Sequence, residues 1–144
     1  MYETILFIHS MWAYLVVVVL LIATINALMG FFSKKEYGNN DFRLSLFGLI
    51  VTHLQLLIGL VLYFVSPYFD AWSGGMGEVM GNSEIRLVLV EHPFMMLLAV
   101  IFITIGYSKH KKKLTSQAKF KNLAIFYTIA TLFVLSRIPW GNWF

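Results

Sequence analysis

Three histidines, a glutamate and an arginine stand in this 144-residue chain where ionisable groups are expensive. His9 lies in "LFIHSMWAYLVVVV", His53 in "THLQLLIGLVLYFVSPYF", Glu91 and His92 in "VEHPFMMLLAV", and Arg137 in "LSRIPW". Each sits in or beside an apolar run, and titratable side chains at membrane depth need a partner, a watery path or a cofactor. The chemistry that fits best is axial ligation of a b-type haem, because two imidazoles from separate helices of a bundle suit an electron carrier. In that reading His53 and His92 are the preferred pair on the iron, and His9 with His92 is the next choice. Arg137, with Arg86 as a second candidate, would neutralise the propionates. Met95 and Met96, one turn beyond His92, would pack on the porphyrin.

Other chemistries compete with this one. Intramembrane His, Gln and Glu side chains also serve as interhelical hydrogen-bond glue, at about 0.6 kcal/mol each on average. Glu91 and Arg137 are expected to couple directly or through a propionate, since unpaired charges avoid lipid. Glu91, His92, His9 and Gln55 together would make a short proton relay, but the other half of the bundle looks too poor in titratable residues to complete it. A metal ion held by histidines finds no short H-x₃-H or H-E-x-x-H spacing. His110, in the basic stretch "YSKHKKKLTSQAKFKN", is expected to be solvated and uninvolved.

The elements that must position these groups are legible from composition. Hydrophobic residues make up 59% of the chain and charged residues 12%, half the charge of an ordinary soluble domain. Four apolar runs, roughly 5–28, 44–65, 85–107 and 120–138, each hold about the 20 residues that cross a hydrocarbon core as a helix. The expectation is an all-α integral membrane four-helix bundle spanning 1–144 as one domain. The first run lacks the basic n-region of a cleavable signal peptide and is too long for an h-region. With no cysteine, disulfides, iron–sulfur ligation and covalent c-type haem are excluded.

Charge sets the expected orientation. Lys34, Lys35 and Arg43 around the first connection, and Lys109, Lys111, Lys112, Lys113, Lys119 and Lys121 around the third, make nine of the eleven basic residues. The positive-inside rule then puts both termini and the second connection outside, in the periplasm. The net charge of +4 reads as topology and not as nucleic-acid binding. Taking each run's centre as the midplane, His53 lies near it, His92 about 6 Å and His9 about 12 Å toward the outer side.

Helical spacing marks the inward faces. Membrane interfaces favour small residues that allow close approach. Such stripes are Ser45, Gly48, Thr52, Gln55 and Gly59 in the second helix, and His9, Ala13, Ala23, Ala27 and Gly30 in the first. The third run offers Glu84, Val88, Glu91, Met95, Ala99 and Gly106. The fourth offers Ala124, Thr128 and Thr131. Between helices two and three, Ser66 to Ser83 reads as a plain Gly-rich connection with Tyr68 and Trp72 as interfacial anchors, and Ser83–Glu84 as the cap region of the third helix.

The same four segments resemble, over nearly the whole chain, a family of small bacterial four-helix inner-membrane proteins, largely uncharacterised, some labelled cytochrome-b-like. The matching positions are His9, Trp12, His53, Gln55, Glu91, His92, Pro93, Arg137 and Pro139. Where that family often has an arginine before the first helix's tryptophan, this chain has Met11. The resemblance implies a multi-pass protein of the bacterial inner membrane. The expected function is a small b-type cytochrome or haem-containing subunit that passes electrons between a quinone-level donor and a larger respiratory partner. The alternative is a cofactor-free accessory subunit of a larger membrane complex or homo-oligomer.

Overall fold

The computed structural model describes residues 1–143, and among these the chain is helical with no strand. Its four long helices, numbered here in chain order, are α1 (Tyr2–Phe32), α2 (Asn39–Val65), α3 (Ser83–Lys111) and α4 (Ser116–Arg137). All four are long and apolar enough to cross a membrane. The apolar runs anticipated them but cut several short, because hydropathy fades in the polar turns where backbone geometry stays helical. α3 in particular runs on to Lys111, which carries His110 into the helix.

Local chemistry sets the ends. After α1 the chain turns through Lys34, whose φ of 55° is the left-handed conformation usual at a helix C-terminus. There the Lys35 N–H donates to the Gly30 carbonyl and the Ser33 N–H to that of Met29. The Asp41 carboxylate begins α2 by accepting from the Gly38 N–H at 2.9 Å. Asn82, one residue before the anticipated cap, accepts from the Glu84 and Ile85 N–H groups and starts α3. The Thr115 hydroxyl does the same for α4 through the Ala118 N–H. The second connection is more ordered than a plain loop: a 3₁₀ segment, Pro67–Gly74, is followed by a short helix, Met76–Gly81.

α1 packs against α2 and α4, and α3 packs against the same two, so α1 and α3 face each other across the diagonal. Leu20, Ala23, Ala27, Val51, Ala99, Ile103, Leu123, Tyr127 and Ala130 form the core. Small residues let helices approach: a Cβ on Gly30 would come within 2.5 Å of the Phe120 ring, and one on Gly106 equally close to Phe126. Several polar groups in the middle of the interior pair with one another, as a low dielectric favours. Thr24 and Thr131 bond at 2.9 Å, and the Tyr127 hydroxyl donates to the Ser45 carbonyl at 2.7 Å. Outward, Phe7, Val18, Ile25, Met29, Leu57, Phe64 and Leu132 are exposed, a surface suited to lipid.

Candidate histidine site

The site lies at the end of the bundle that holds both termini, and it begins with a helix end. The last carbonyls of an α-helix have no partner of their own. At the end of α4 Ile138, the residue before Pro139, is extended and stops the helix, so no N–H of a further turn reaches the Arg137 carbonyl. The Arg137 carbonyl instead meets His92 Nδ1 at 2.9 Å. A carbonyl only accepts, so Nδ1 carries the proton there and the uncharged ring keeps a bare lone pair on Nε2. An imidazole held this way by its far nitrogen is how proteins orient a ligating histidine.

His9 approaches from the diagonally opposite helix. Gly59 makes the room, since a Cβ there would sit 3.2 Å from His9 Cε1. The Gln55 amide donates to the His9 carbonyl at 2.8 Å. The two imidazoles come to 6.3 Å between ring centres with planes at 88°. His9 Nδ1 and Gln55 Oε1 are buried atoms without a hydrogen-bond partner. Buried polar atoms are rarely left so, and these two stand beside the paired rings. Inward of His9, the Trp12 indole donates to the Val51 carbonyl at 2.9 Å and closes the floor.

Glu91 lies at the rim between two cations. Arg86 Nε is 3.0 Å from Glu91 Oε2, and Arg137 Nε is 3.8 Å from Oε1. The expected Glu91–Arg137 pair therefore forms, but Arg86 is the nearer partner. Ordinary helical periodicity hides this, because five residues separate Arg86 from Glu91. The turn between them, Leu87–Glu91, is a π-helix, whose i to i+5 spacing brings them together. Two guanidiniums against one carboxylate leave one positive charge at the rim.

Pro93 has its own accommodation. In an α-helix the Leu89 carbonyl would take the N–H of residue 93, which proline lacks. The Tyr63 hydroxyl donates to that carbonyl at 3.0 Å, and the Trp72 indole in turn donates to Tyr63 at 3.0 Å. The second connection thus supplies Trp72 to the hydrogen-bond chain that serves the Leu89 carbonyl.

His53 is not part of this group. Its Nδ1 meets its own helix's Leu49 carbonyl at 2.7 Å, and its Nε2 is 3.3 Å from the Thr104 hydroxyl. Thr104 is twelve residues along α3 from His92, about 18 Å of helix rise. One iron does not span that distance, so the pair His53–His92 is set aside. The ring of His53 points back down its helix, as long side chains on helices do, away from the terminal end.

His110 corrects the expectation of a solvated side chain: it is fully buried. Its Nε2 meets the Tyr37 hydroxyl at 2.8 Å, its Nδ1 bonds the Tyr107 carbonyl, and the rings of Phe42 and Tyr107 pack on it. Asp41, also buried, gathers Asn26 at 2.9 Å and Lys35 at 3.0 Å. The basic end of the bundle therefore has a polar cluster of its own. It was missed because hydropathy places these residues outside the apolar runs. Tyr37 ties the first connection to α4 through its N–H to Ser116 Oγ at 2.9 Å. Burial pushes the Tyr37 hydroxyl's pKa up to about 12.

Among the described residues no three His, Cys, Asp or Glu side chains converge to hold a metal ion. The terminal-end site offers two imidazoles and no cage. Two rings with centres 6.3 Å apart match a shared metal, with about 2 Å of metal–nitrogen bond on each side plus the depth of each ring.

Fold and composition define a helical multi-pass membrane protein. No family model matches the chain, and neither the curated proteins nor the solved structures include a match.

Proposed function

We propose that the chain is a small haem b subunit that carries electrons in the bacterial inner membrane, with His9 and His92 as the axial pair. The observation that carries this reading is the meeting of the two rings across the diagonal of the bundle, 6.3 Å between centres. Bound there, haem supplies a one-electron couple. The protein's part is to hold the ligands. The Arg137 carbonyl fixes the His92 tautomer, Gly59 admits His9, and the Gln55 oxygen awaits the proton of His9 Nδ1. The unbalanced charge of Arg86 and Arg137 suits a propionate. The basic connections favour a cytoplasmic side opposite the site, so both termini and the histidine pair face the periplasm. The donor on this reading is a quinone-level carrier, and the acceptor a larger membrane complex docked on the apolar faces or a second copy of the chain.

A second reading has its own observation. Glu91 already has two cations and His92 already has its carbonyl, so the bundle is complete at these points as a cofactor-free accessory subunit. The visible spectrum of the purified protein separates the two. A Soret band that sharpens and shifts on dithionite reduction supports the carrier, and a colourless, fully folded preparation supports the accessory subunit.

A further inference from the structure

His53, released from the iron pair, has unfinished hydrogen bonding. The Leu49 carbonyl 2.7 Å from Nδ1 can only accept, so Nδ1 carries the proton, and in that tautomer Nε2 is an acceptor. Its one neighbour is the Thr104 hydroxyl at 3.3 Å, but that hydroxyl lies 2.7 Å from the Val100 carbonyl. A hydroxyl has a single proton, and the shorter bond to Val100 takes it. Nε2 is thus a strong acceptor with no committed donor.

The position of that acceptor restricts what can serve it. Leu49 is ten residues into α2, about 15 Å of rise from the helix start and well inside the hydrocarbon. His53 and Thr104 are half-buried on the seam of α2 and α3, and the residues flanking them, Ile50, Leu57, Leu97 and Ile101, are exposed toward lipid. The seam opens sideways to the membrane, not to either aqueous face. Its ligand must therefore be lipid-soluble, uncharged and a hydroxyl donor at depth. Phospholipid and sterol head groups are held at the interface by their need for water. A hydroquinone, with hydroxyls on an otherwise apolar ring, reaches this level.

We propose that the α2–α3 seam binds a membrane hydroquinone, which donates one hydroxyl to His53 Nε2 while its ring lies against Leu57 and Ile101. The oxidised quinone has no proton to give and gains nothing from an acceptor. The site consequently prefers the reduced form. It stands apart from the haem reading, since binding here requires no haem and a colourless chain would bind equally.

The test uses the full chain in nanodiscs with ¹⁵N-labelled histidine, titrated with duroquinol, duroquinone or dodecanol. The Nε2 resonance of His53 is assigned by its disappearance in His53→Leu. Duroquinol is expected to give a saturable upfield shift of that resonance alone, and duroquinone none. Ile101→Trp, which fills the lipid side of the seam, should abolish the shift while leaving the resonance in place. Thr104→Val, which removes the weak competitor, should preserve it. No response to duroquinol, an equal response to duroquinone, or an equal response to dodecanol would each overturn the proposal.

Discussion

His92 closes the end of the fourth helix: its Nδ1–H is given to the carbonyl of Arg137, 2.9 Å away and forty-five residues later in the chain. One side chain thereby does two things. It satisfies a carbonyl left without a helical partner where Ile138 turns extended, and it holds a ring whose centre is 6.3 Å from that of His9.

Replacement of His92 should therefore cost stability as well as any bound haem. His92→Ala strands the Arg137 carbonyl and is expected to lose about 1–3 kcal/mol, the usual cost of a buried group left unpaired. Thermal unfolding in detergent reads the first effect and the Soret band the second. His9→Ala should remove the band with a smaller stability loss, and His53→Ala should leave it intact. A spectrum that depends on His53 and ignores His9 would sink the axial assignment.

At the rim, the two arginines should couple unequally to Glu91. Double-mutant cycles of Glu91→Gln with Arg86→Gln and with Arg137→Gln are the measurement. These groups are each about one-third exposed or more, so the coupling should stay at or below about 1 kcal/mol. The Arg86 cycle is expected to give the larger value. A larger Arg137 value would mean that the π-turn does not hold Arg86 in place.

Tyr63 and Pro93 form a compensating pair through the Leu89 carbonyl. Tyr63→Phe should destabilise the parent by about 1 kcal/mol, the net worth of a hydrogen bond. In a Pro93→Ala background the restored N–H competes for the same carbonyl, and the loss should shrink. Equal losses in both backgrounds would show that the carbonyl does not depend on Tyr63.

The basic end should carry an alkaline dependence. The folded Tyr37 pKa is raised to about 12, above the ordinary value of about 10 expected unfolded. Its contribution is then complete below pH of about 10 and disappears as pH climbs through about 12. Tyr37→Phe should flatten this segment of the stability profile while lowering stability at neutral pH, because His110 Nε2 loses its donor. An unchanged alkaline slope would remove Tyr37 as its cause.

Orientation is open to direct measurement. Reporter fusions at Asn39 and Ser116 are expected to behave as cytoplasmic, and fusions after Gly75 or Phe144 as periplasmic. The reverse pattern would turn the histidine site toward the cytoplasm.

What the sequence revealed follows from the physics of each signal. The four spans were plain because the bilayer imposes a length and a polarity on every crossing. The α2 stripe was accurate from Ser45 to Thr52, all buried at its small and polar positions, since close packing needs small residues at helical spacing. The pairing of Arg137 with Glu91 was also visible, because both had to sit at one depth. Arg86 escaped, as a π-turn breaks the periodicity on which such readings rest. His53 and His92 were expected to meet and do not, because height was judged from the centres of the apolar runs alone: the His53 ring folds back toward Leu49 and reaches Thr104, twelve residues along α3 from His92. His110 was misjudged because lysines in sequence around it conceal a tyrosine that covers it in space.

The histidine site draws on His9 near one end of the chain, Gln55 and Gly59 in the second span, His92 in the third, and the carbonyl of Arg137 at the close of the fourth. During synthesis those parts emerge in that order, and the last arrives after every other span has been made. Until α4 is inserted, His92 has no carbonyl to orient it, and the two rings have no reason to converge. A ligand that needs both rings held as they are here would find that arrangement only once α4 is in place. Occupancy of the site would report that membrane insertion had run to completion.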